Sequence, residues 1–293
     1  GSDRSTPPMS KISNSIDLAK ASWGVLKSDK ELAAIPLASS ITCGVVALAF
    51  GGLGYLSVEH VKNPPAGQSD WNVTPLTWSI GVVGVFVIGM VAQFFAAVLI
   101  AGANERLEGG HPTLRSAFAK ASSRTGSILG WSVVNATVGM VLSSIRQRAG
   151  FLGDIAAGLF GAAWNVITWL ALPVIVVEGL GPIAAIKRSV EMLKQTWGEN
   201  IIAQIGLGAL GMVVMLPGMV VFGALAWLVP LLGIPLLGIY FVVVASIMSA
   251  LGSIYRTALY RFAAGLPAGG AFQQEALAGA FRQKGGAVDR LLH

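Results

Sequence analysis

Six stretches of this chain contain no Asp, Glu, Lys or Arg: Leu37 to Val58, Leu76 to Ala103, Gly126 to Ile145, Ile155 to Val177, Ile201 to Val229 and Leu231 to Tyr255. Each runs to about 20 residues or more, and at about 1.5 Å of rise per residue a helix of that length crosses a hydrocarbon core of roughly 30 Å. Lipid offers no partner for backbone N–H and C=O groups, so a spanning segment is either a helix or part of a closed barrel. Barrel strands show about ten residues of apolar and polar alternation. None of the six runs alternates in that way. The sequence therefore predicts an all-α, polytopic membrane helix bundle of six transmembrane helices. A hydrophobic fraction of 54%, a charged fraction of 12% and a mean hydropathy of +0.70 agree with that class.

The Lys and Arg residues orient the bundle. With six spans, all but Lys62, Arg146 and Arg148 of the 20 Lys and Arg fall on one side, and the positive-inside bias makes that side cytoplasmic. Both termini are then cytoplasmic, and the expected location is the inner (plasma) membrane of a bacterial cell. The first apolar run begins well inside the chain and is followed at once by others, which predicts an uncleaved anchor rather than a secretory signal. Residues 1–8, "GSDRSTPP", read as an appended scar ahead of Met9 and stay outside the fold. Residues 9–262 form one membrane domain, and 263–293 a cytoplasmic tail that is a short helix or disordered. Between the fifth and sixth runs, "LVPLLGIPLLG" places Pro230, Gly233 and Pro235 in a short turn.

The charged bands between the spans repeat. "KRSVEMLK" (187–194) aligns with "KASWGVLK" (20–27) at Lys, Ser, Leu and the final Lys. Ile183, Ile186, Val190, Leu193 and Trp197 recur at helical spacing, as do Ile16, Ala19, Trp23 and Leu26, so each band predicts an amphipathic helix. "HPTLRSAFAKASSRTG" is a weaker third version with Leu114 and Phe118 on its stripe, and Pro112 and Pro182 suit first-turn positions. The layout is three repeats of amphipathic interfacial helix plus transmembrane hairpin, in units 11–103, 105–177 and 181–262. Units with an even number of spans share one orientation, unlike the inverted repeats of many transporters. Lys20, Lys27, Lys187, Arg188 and Lys194 are placed to reach anionic lipid headgroups, and Trp23 and Trp197 to join the interfacial aromatic belt. The net charge of +6 is sorted by membrane side, which points to lipid rather than nucleic acid.

"PVIVVEGLGPIAAIKRSVEMLKQTWGEN" (173–200) together with "SWGVLKSDKELAAIPL" (22–37) resembles an uncharacterised family of six-span bacterial and archaeal membrane proteins. It is more loosely similar to the membrane domain found beside glycerophosphodiester phosphodiesterase domains. The resemblance implies the same six-span fold over residues 11 to 262 and no assigned activity; the catalytic phosphodiesterase domain is lacking.

Catalytic signatures are lacking too. His60, His111 and His293 form no HExxH pair, and there is no GxSxG elbow, Walker A loop or CxxC motif. The single cysteine, Cys43, supplies neither a disulfide nor a thiol metal site. No enzymatic activity, cofactor or metal is expected. Glu178 and Arg188 are the sharpest ionic candidates, because a carboxylate at the mouth of a span needs a partner and a bend at Gly179 and Gly181 brings the cations of 187–188 back toward it. Strongly polar residues inside the runs are amides: Gln93, Asn135, Asn165 and Gln204. The 37 glycines gather in small-residue rows that suit close helix packing or subunit contact. The sequence thus suggests a non-enzymatic, homo-oligomeric scaffold or lipid-interacting membrane organiser, with a transporter or channel for a small or lipid-like solute as the alternative.

Overall fold

The computed structural model describes residues 20–27, 30–60, 71–196 and 202–267. The chain runs through α1 (20–27), α2 (Lys30–Leu56), a two-stranded ribbon of β1 (Glu59–His60) and β2 (Trp71–Asn72), α3 (Pro75–Leu107), α4 (Leu114–Ser122), α5 (Thr125–Ile167), α6 (Ala171–Glu178), α7 (Pro182–Thr196), α8 (Ile202–Leu228) and α9 (Pro230–Ala263). Five helices among the described residues are long and apolar enough to cross a membrane: Ala34–Leu56, Pro75–Leu107, Thr125–Arg148, Gly153–Glu178 and Leu231–Ala263. The chain is an all-α, multi-pass membrane protein. Within α8, Met215–Leu228 is a shorter apolar helix.

Helical hydrogen bonding continues through the 43 residues of α5, yet α5 is not straight. Trp131 stacks on Trp164 with ring centroids 6.2 Å apart, and Trp164 Nε1 donates to Asn135 Oδ1 at 3.0 Å. A straight helix would separate residues 131 and 164 by about 50 Å. The paired positions therefore place a reversal near residue 150, between the arms Thr125–Arg148 and Gly153–Glu178. The second arm breaks again before α6. Pro173 has no N–H to give and fits without loss in a helix's first turn, and α6 begins two residues before it, at Ala171. Ser189 of α7 repairs the break: its Oγ donates to Ile167 O at 2.7 Å and accepts from Leu170 N at 3.3 Å.

At the other hairpin, only Val229 separates α8 from α9; Pro230 opens α9, where its missing N–H costs nothing. Gly233 and Pro235 thus belong to the helix rather than to the expected turn. Gly233 is needed for proximity, since a Cβ there would strike the Ala226 backbone. Pro112 also departs from expectation. It precedes the Thr113 cap of α4, where Thr113 and Ser116 form a capping box, whereas Pro182 does open α7.

The core lies at one end, here termed the basic end. It joins residues of α1 (Val25, Leu26), the start of α2 (Leu32, Ile35), the last turns of α3, α4, α6, α7 and the last turns of α9. From Ala97 to Ala103 every residue of α3 is buried, which makes this segment the axis of the bundle. Toward the ribbon the helices splay, leaving Leu48, Val85, Trp227 and Leu231 exposed.

The amphipathic helices dock on faces that keep Leu26 and Leu193 of the expected stripes but are otherwise turned away from them. In α7 the covered residues are Ala185, Ser189, Met192 and Leu193, while Ile183 is exposed and Ile186 and Val190 are half-buried. In α1 they are Ser22, Val25 and Leu26, with Trp23 exposed. The two segments nonetheless share one pattern: along 20–27 and 187–194 the burial classes agree position by position, apart from Trp23 against Val190. In α4 Ala117 and Ala121 are buried, Leu114 is exposed, and half-buried Phe118 packs on Phe94 and Phe95. Small residues face the bundle because they let a helix axis approach it closely. Residues 11–19, the small-residue row 206–211 at the level of side chains, and the tail 271–286 lie outside what is described.

The reversal in α5 is testable in full-length protein carrying Cys43→Ser. Cysteines at Leu142 and Gly161 should cross-link within one chain, because a Cβ at Gly161 would lie 3.6 Å from the Leu142 side chain. A straight α5 would hold them about 28 Å apart and give no intramolecular product.

Candidate functional site

Two arrangements stand out, a polar cluster at the basic end and a groove nearer the ribbon. The cluster begins where α6 stops. Gly179 takes φ 74°, a left-handed cap whose N–H bonds Ile175 O at 3.1 Å. The Arg124 guanidinium packs against the position a Cβ would occupy at Gly179, so glycine is required there by conformation and by space. The turn brings α7 back along α6. Arg188 Nε then lies 3.4 Å from the Glu178 carboxylate, and Tyr260 OH donates to Glu178 Oε1 at 3.1 Å. The bend expected at Gly179 thus joins Glu178 with Arg188. It does not bring Lys187, which is exposed and makes no ion pair among the described residues; Lys20, Lys27 and Lys194 are in the same position. Trp23 is 47% exposed at the surface of α1, as an interfacial aromatic would be; Trp197 lies outside the described residues.

The stronger pair is one that sequence reasoning missed. Arg261, adjacent to Tyr260, has a side chain only 4% exposed. Its Nη1 donates to Asn104 Oδ1 at 2.8 Å and Glu108 Oε1 at 2.9 Å, and its Nε to Pro267 O at 2.7 Å. Asn104 Nδ2 in turn donates to Glu108 Oε1 at 2.9 Å. Two consecutive residues of α9 therefore hold the ends of α6 and α3. Around them, Glu31 accepts from the Leu114 N–H at the start of α4, and Ser116 donates to Glu105 at 2.8 Å. Arg261 was visible in the sequence as one more cytoplasmic cation, and no spacing links it to Asn104 or Glu108.

The groove lies between α3 and the first arm of α5. Its volume is about 960 Å³ and its walls include Trp78, Val82, Val85, Phe86, Met90 and Met140, near the upper end of the roughly 300–1,000 Å³ of ligand pockets. Polar groups are few. Gln93 and Ser132 mark its end toward the core, and Asn135, Ser143 and Thr77 lie farther out. Ser132 returns its hydroxyl to Ile128 O, and Asn135 accepts from Trp164, but the Gln93 amide has no hydrogen bond among the described residues. Asn165 lines a smaller crevice with Asn135 and Trp164 between the arms of α5. Among the described residues no group of three or more His, Cys, Asp or Glu is placed to hold a metal ion.

A family model described as a family of unknown function (DUF6159) matches residues 78–270, well over half of the chain. The chain belongs to that family. No curated protein and no solved structure matches it.

Exposure ranks the two ion pairs. Arg188 and Glu178 are 38% and 25% exposed, so Arg188→Gln should cost about 0–1 kcal/mol. Arg261→Gln removes three charge-assisted bonds from a desolvated site and should cost roughly 2–4 kcal/mol, a clearly larger fall in melting temperature of the detergent-solubilised protein. Equal melting of the two variants would show that Arg261 does not hold the helix ends. Gly179→Ala should also lose about 1–2 kcal/mol through its left-handed backbone, with Gly181→Ala close to the parent in the same assay because a Cβ there meets nothing within 4 Å.

Proposed function

We propose that this family member is a non-enzymatic bacterial inner-membrane protein that holds lipid in the groove between α3 and α5, serving as a homo-oligomeric scaffold or organiser of the surrounding membrane. In this reading α8 is the sixth span. The three units are then α1 with α2–α3, α4 with the two arms of α5 and α6, and α7 with α8–α9. The shared burial pattern of 20–27 and 187–194 supports the repeat. The distribution of Lys and Arg supports cytoplasmic termini, with the basic end facing anionic headgroups on the cytoplasmic side.

The observation that carries the reading is where the groove stops. Its lining ends at Gln93 and Ser132, and directly beyond them α3 is buried on all sides from Ala97 to Ala103. A groove open along its flank and closed at one end suits an acyl chain entering sideways from the bilayer. The walls are mostly aliphatic and aromatic, and an unpaired Gln93 amide at the closed end offers a hydrogen bond to an ester or glycerol oxygen. The alternative, movement of a lipid-like solute, draws on the polar side chains spaced along the same wall. It differs in requiring the Ala97–Ala103 region to open.

Gly89 lies in the groove with nothing within 4 Å of a Cβ, so Gly89→Leu fills the cavity without displacing a neighbour. Native mass spectrometry of the parent should show a retained phospholipid. Gly89→Leu should reduce that occupancy several-fold with little change in melting temperature, and unchanged occupancy would remove the groove as the lipid site. Lipid or solute flux in proteoliposomes that Gly89→Leu abolishes would favour the transport alternative.

A further inference from the structure

Two arginines at the basic end have a buried Nε without a hydrogen-bond partner among the described residues: Arg124, whose guanidinium covers Gly179, and Arg256. Arg256 lies on α9 five residues before Arg261, and its Cζ sits 4.3 Å from the ring centroid of Trp169. Its Nε is sealed from solvent without a hydrogen-bond partner. The two Nη atoms are neither among the buried unpartnered atoms nor hydrogen-bonded among the described residues, so they are open donors. No carboxylate lies within ion-pair distance of the guanidinium among the described residues. Arg261 on the same helix reaches three acceptors through Nε and Nη1, and Arg188 has Glu178.

An exposed arginine needs no partner, because water solvates it and its long stem lets the head move. Arg256 lacks that freedom: one side of its guanidinium is stacked on an indole, and its Nε is dehydrated. The indole is itself fixed. Trp169 lies in the break between α5 and α6, where Ser189 bonds both Ile167 O and Leu170 N. A guanidinium lying over an aromatic ring with both Nη groups unpaired among the described residues has the donors to take a phosphate in a bidentate manner. Its depth suits a lipid. Arg256 precedes the end of α9 at Ala263 by seven residues, about 10 Å along the helix, which places it beneath the headgroup layer at the basic end.

We infer that Arg256, stacked on Trp169, is the anchoring donor for the phosphodiester of an anionic phospholipid in the leaflet at the basic end. This site is separate from the groove. It rests on the chain spanning the membrane and not on lipid occupying the α3–α5 cleft.

The test uses the full chain in detergent, titrated with short-chain phosphatidylglycerol, phosphatidylcholine of the same chain length, or inorganic phosphate. Thermal shift and native mass spectrometry supply the readouts. Phosphatidylglycerol should bind saturably and more tightly than phosphatidylcholine, and Arg256→Gln should weaken it about tenfold or more, the worth of a charge-assisted contact. Lys120→Gln, at an exposed cation of α4, should bind as the parent does. Arg256→Lys keeps the charge and loses the planar fork, so it should also weaken binding; it serves as the deciding variant if Arg256→Gln does not fold. Parent-like binding by Arg256→Lys and Arg256→Gln, or by Arg256→Lys alone where the glutamine variant is lost, overturns the assignment. Equal binding of phosphatidylcholine overturns the anionic preference, and displacement of phosphatidylglycerol by equimolar inorganic phosphate overturns the lipid in favour of free phosphate. Gly89→Leu should leave this titration unchanged, so failure here and failure of the groove are told apart.

Discussion

The packing of this bundle depends on one turn of α9. Tyr260 and Arg261 are consecutive, so they leave the helix about 100° apart and reach two different neighbours: Tyr260 the Glu178 that ends α6, and Arg261 the Asn104 and Glu108 that end α3. Because α3 is the axis on which the other helices pack, a bond at its end fixes the level at which α9 and α6 stop. Arg261 is nearly dehydrated, which raises the cost of losing any one of its acceptors. The Glu178 group is more open and adds direction more than energy. With these ends held level, the amphipathic helices have a floor to dock on. Ser189 ties α7 to the α5–α6 break, and Glu31 ties α2 to the first turn of α4.

The same anchoring explains the groove. Helices fastened at one end and joined at the other by only a two-stranded ribbon and tight reversals are free to diverge away from the fastening. Close contact persists where small residues allow it. Gly102 lies beneath Leu32 near the basic end, with no room for a Cβ. Farther out, between α3 and the first arm of α5, Gly81, Gly89 and Gly139 leave space that no side chain of the described residues fills. The residues lining that space are mostly apolar, which is the basis for proposing a lipid chain there. The cleft and the dense core are therefore two consequences of one asymmetry along the membrane normal.

How far the sequence discloses this follows from which forces act locally. Span length is a local property: hydrophobic runs such as Leu76 to Ala103 and Gly126 to Ile145 foretell helices because nothing else satisfies their backbones in lipid. The Lys, Ser and Leu positions shared by 20–27 and 187–194 have a counterpart in three dimensions, where the two segments bury matching positions. The docking faces were misjudged because a periodicity argument gives weight to large apolar residues, whereas the bundle accepts Ser22, Ser189, Ala117 and Ala121. A buried serine reads as polar until the backbone break it repairs is seen. The break itself was foreshadowed by Pro173 and passed over inside a long apolar run. Arg261 and Arg256 read in the sequence only as two more cations after the last apolar run, because their different environments depend on residues more than 80 positions away.

The basic end is also where three helix C-termini collect, since α3, α6 and α9 all finish there. Each C-terminus carries a partial negative charge of about half a unit and up to four carbonyls without partners, so their convergence is unfavourable unless cations are supplied. An arginine is present at each. Arg106 lies 3.4 Å from the Gly110 carbonyl just past α3, Arg124 covers Gly179 at the cap of α6, and Arg261 donates to Pro267 O beyond α9. These three arginines offset the gathered dipoles by their placement, one at each of the helix ends that finish together. Arg256 differs from these three: it lies over Trp169 at the break where α5 ends, and its guanidinium donates to no helix-end carbonyl among the described residues.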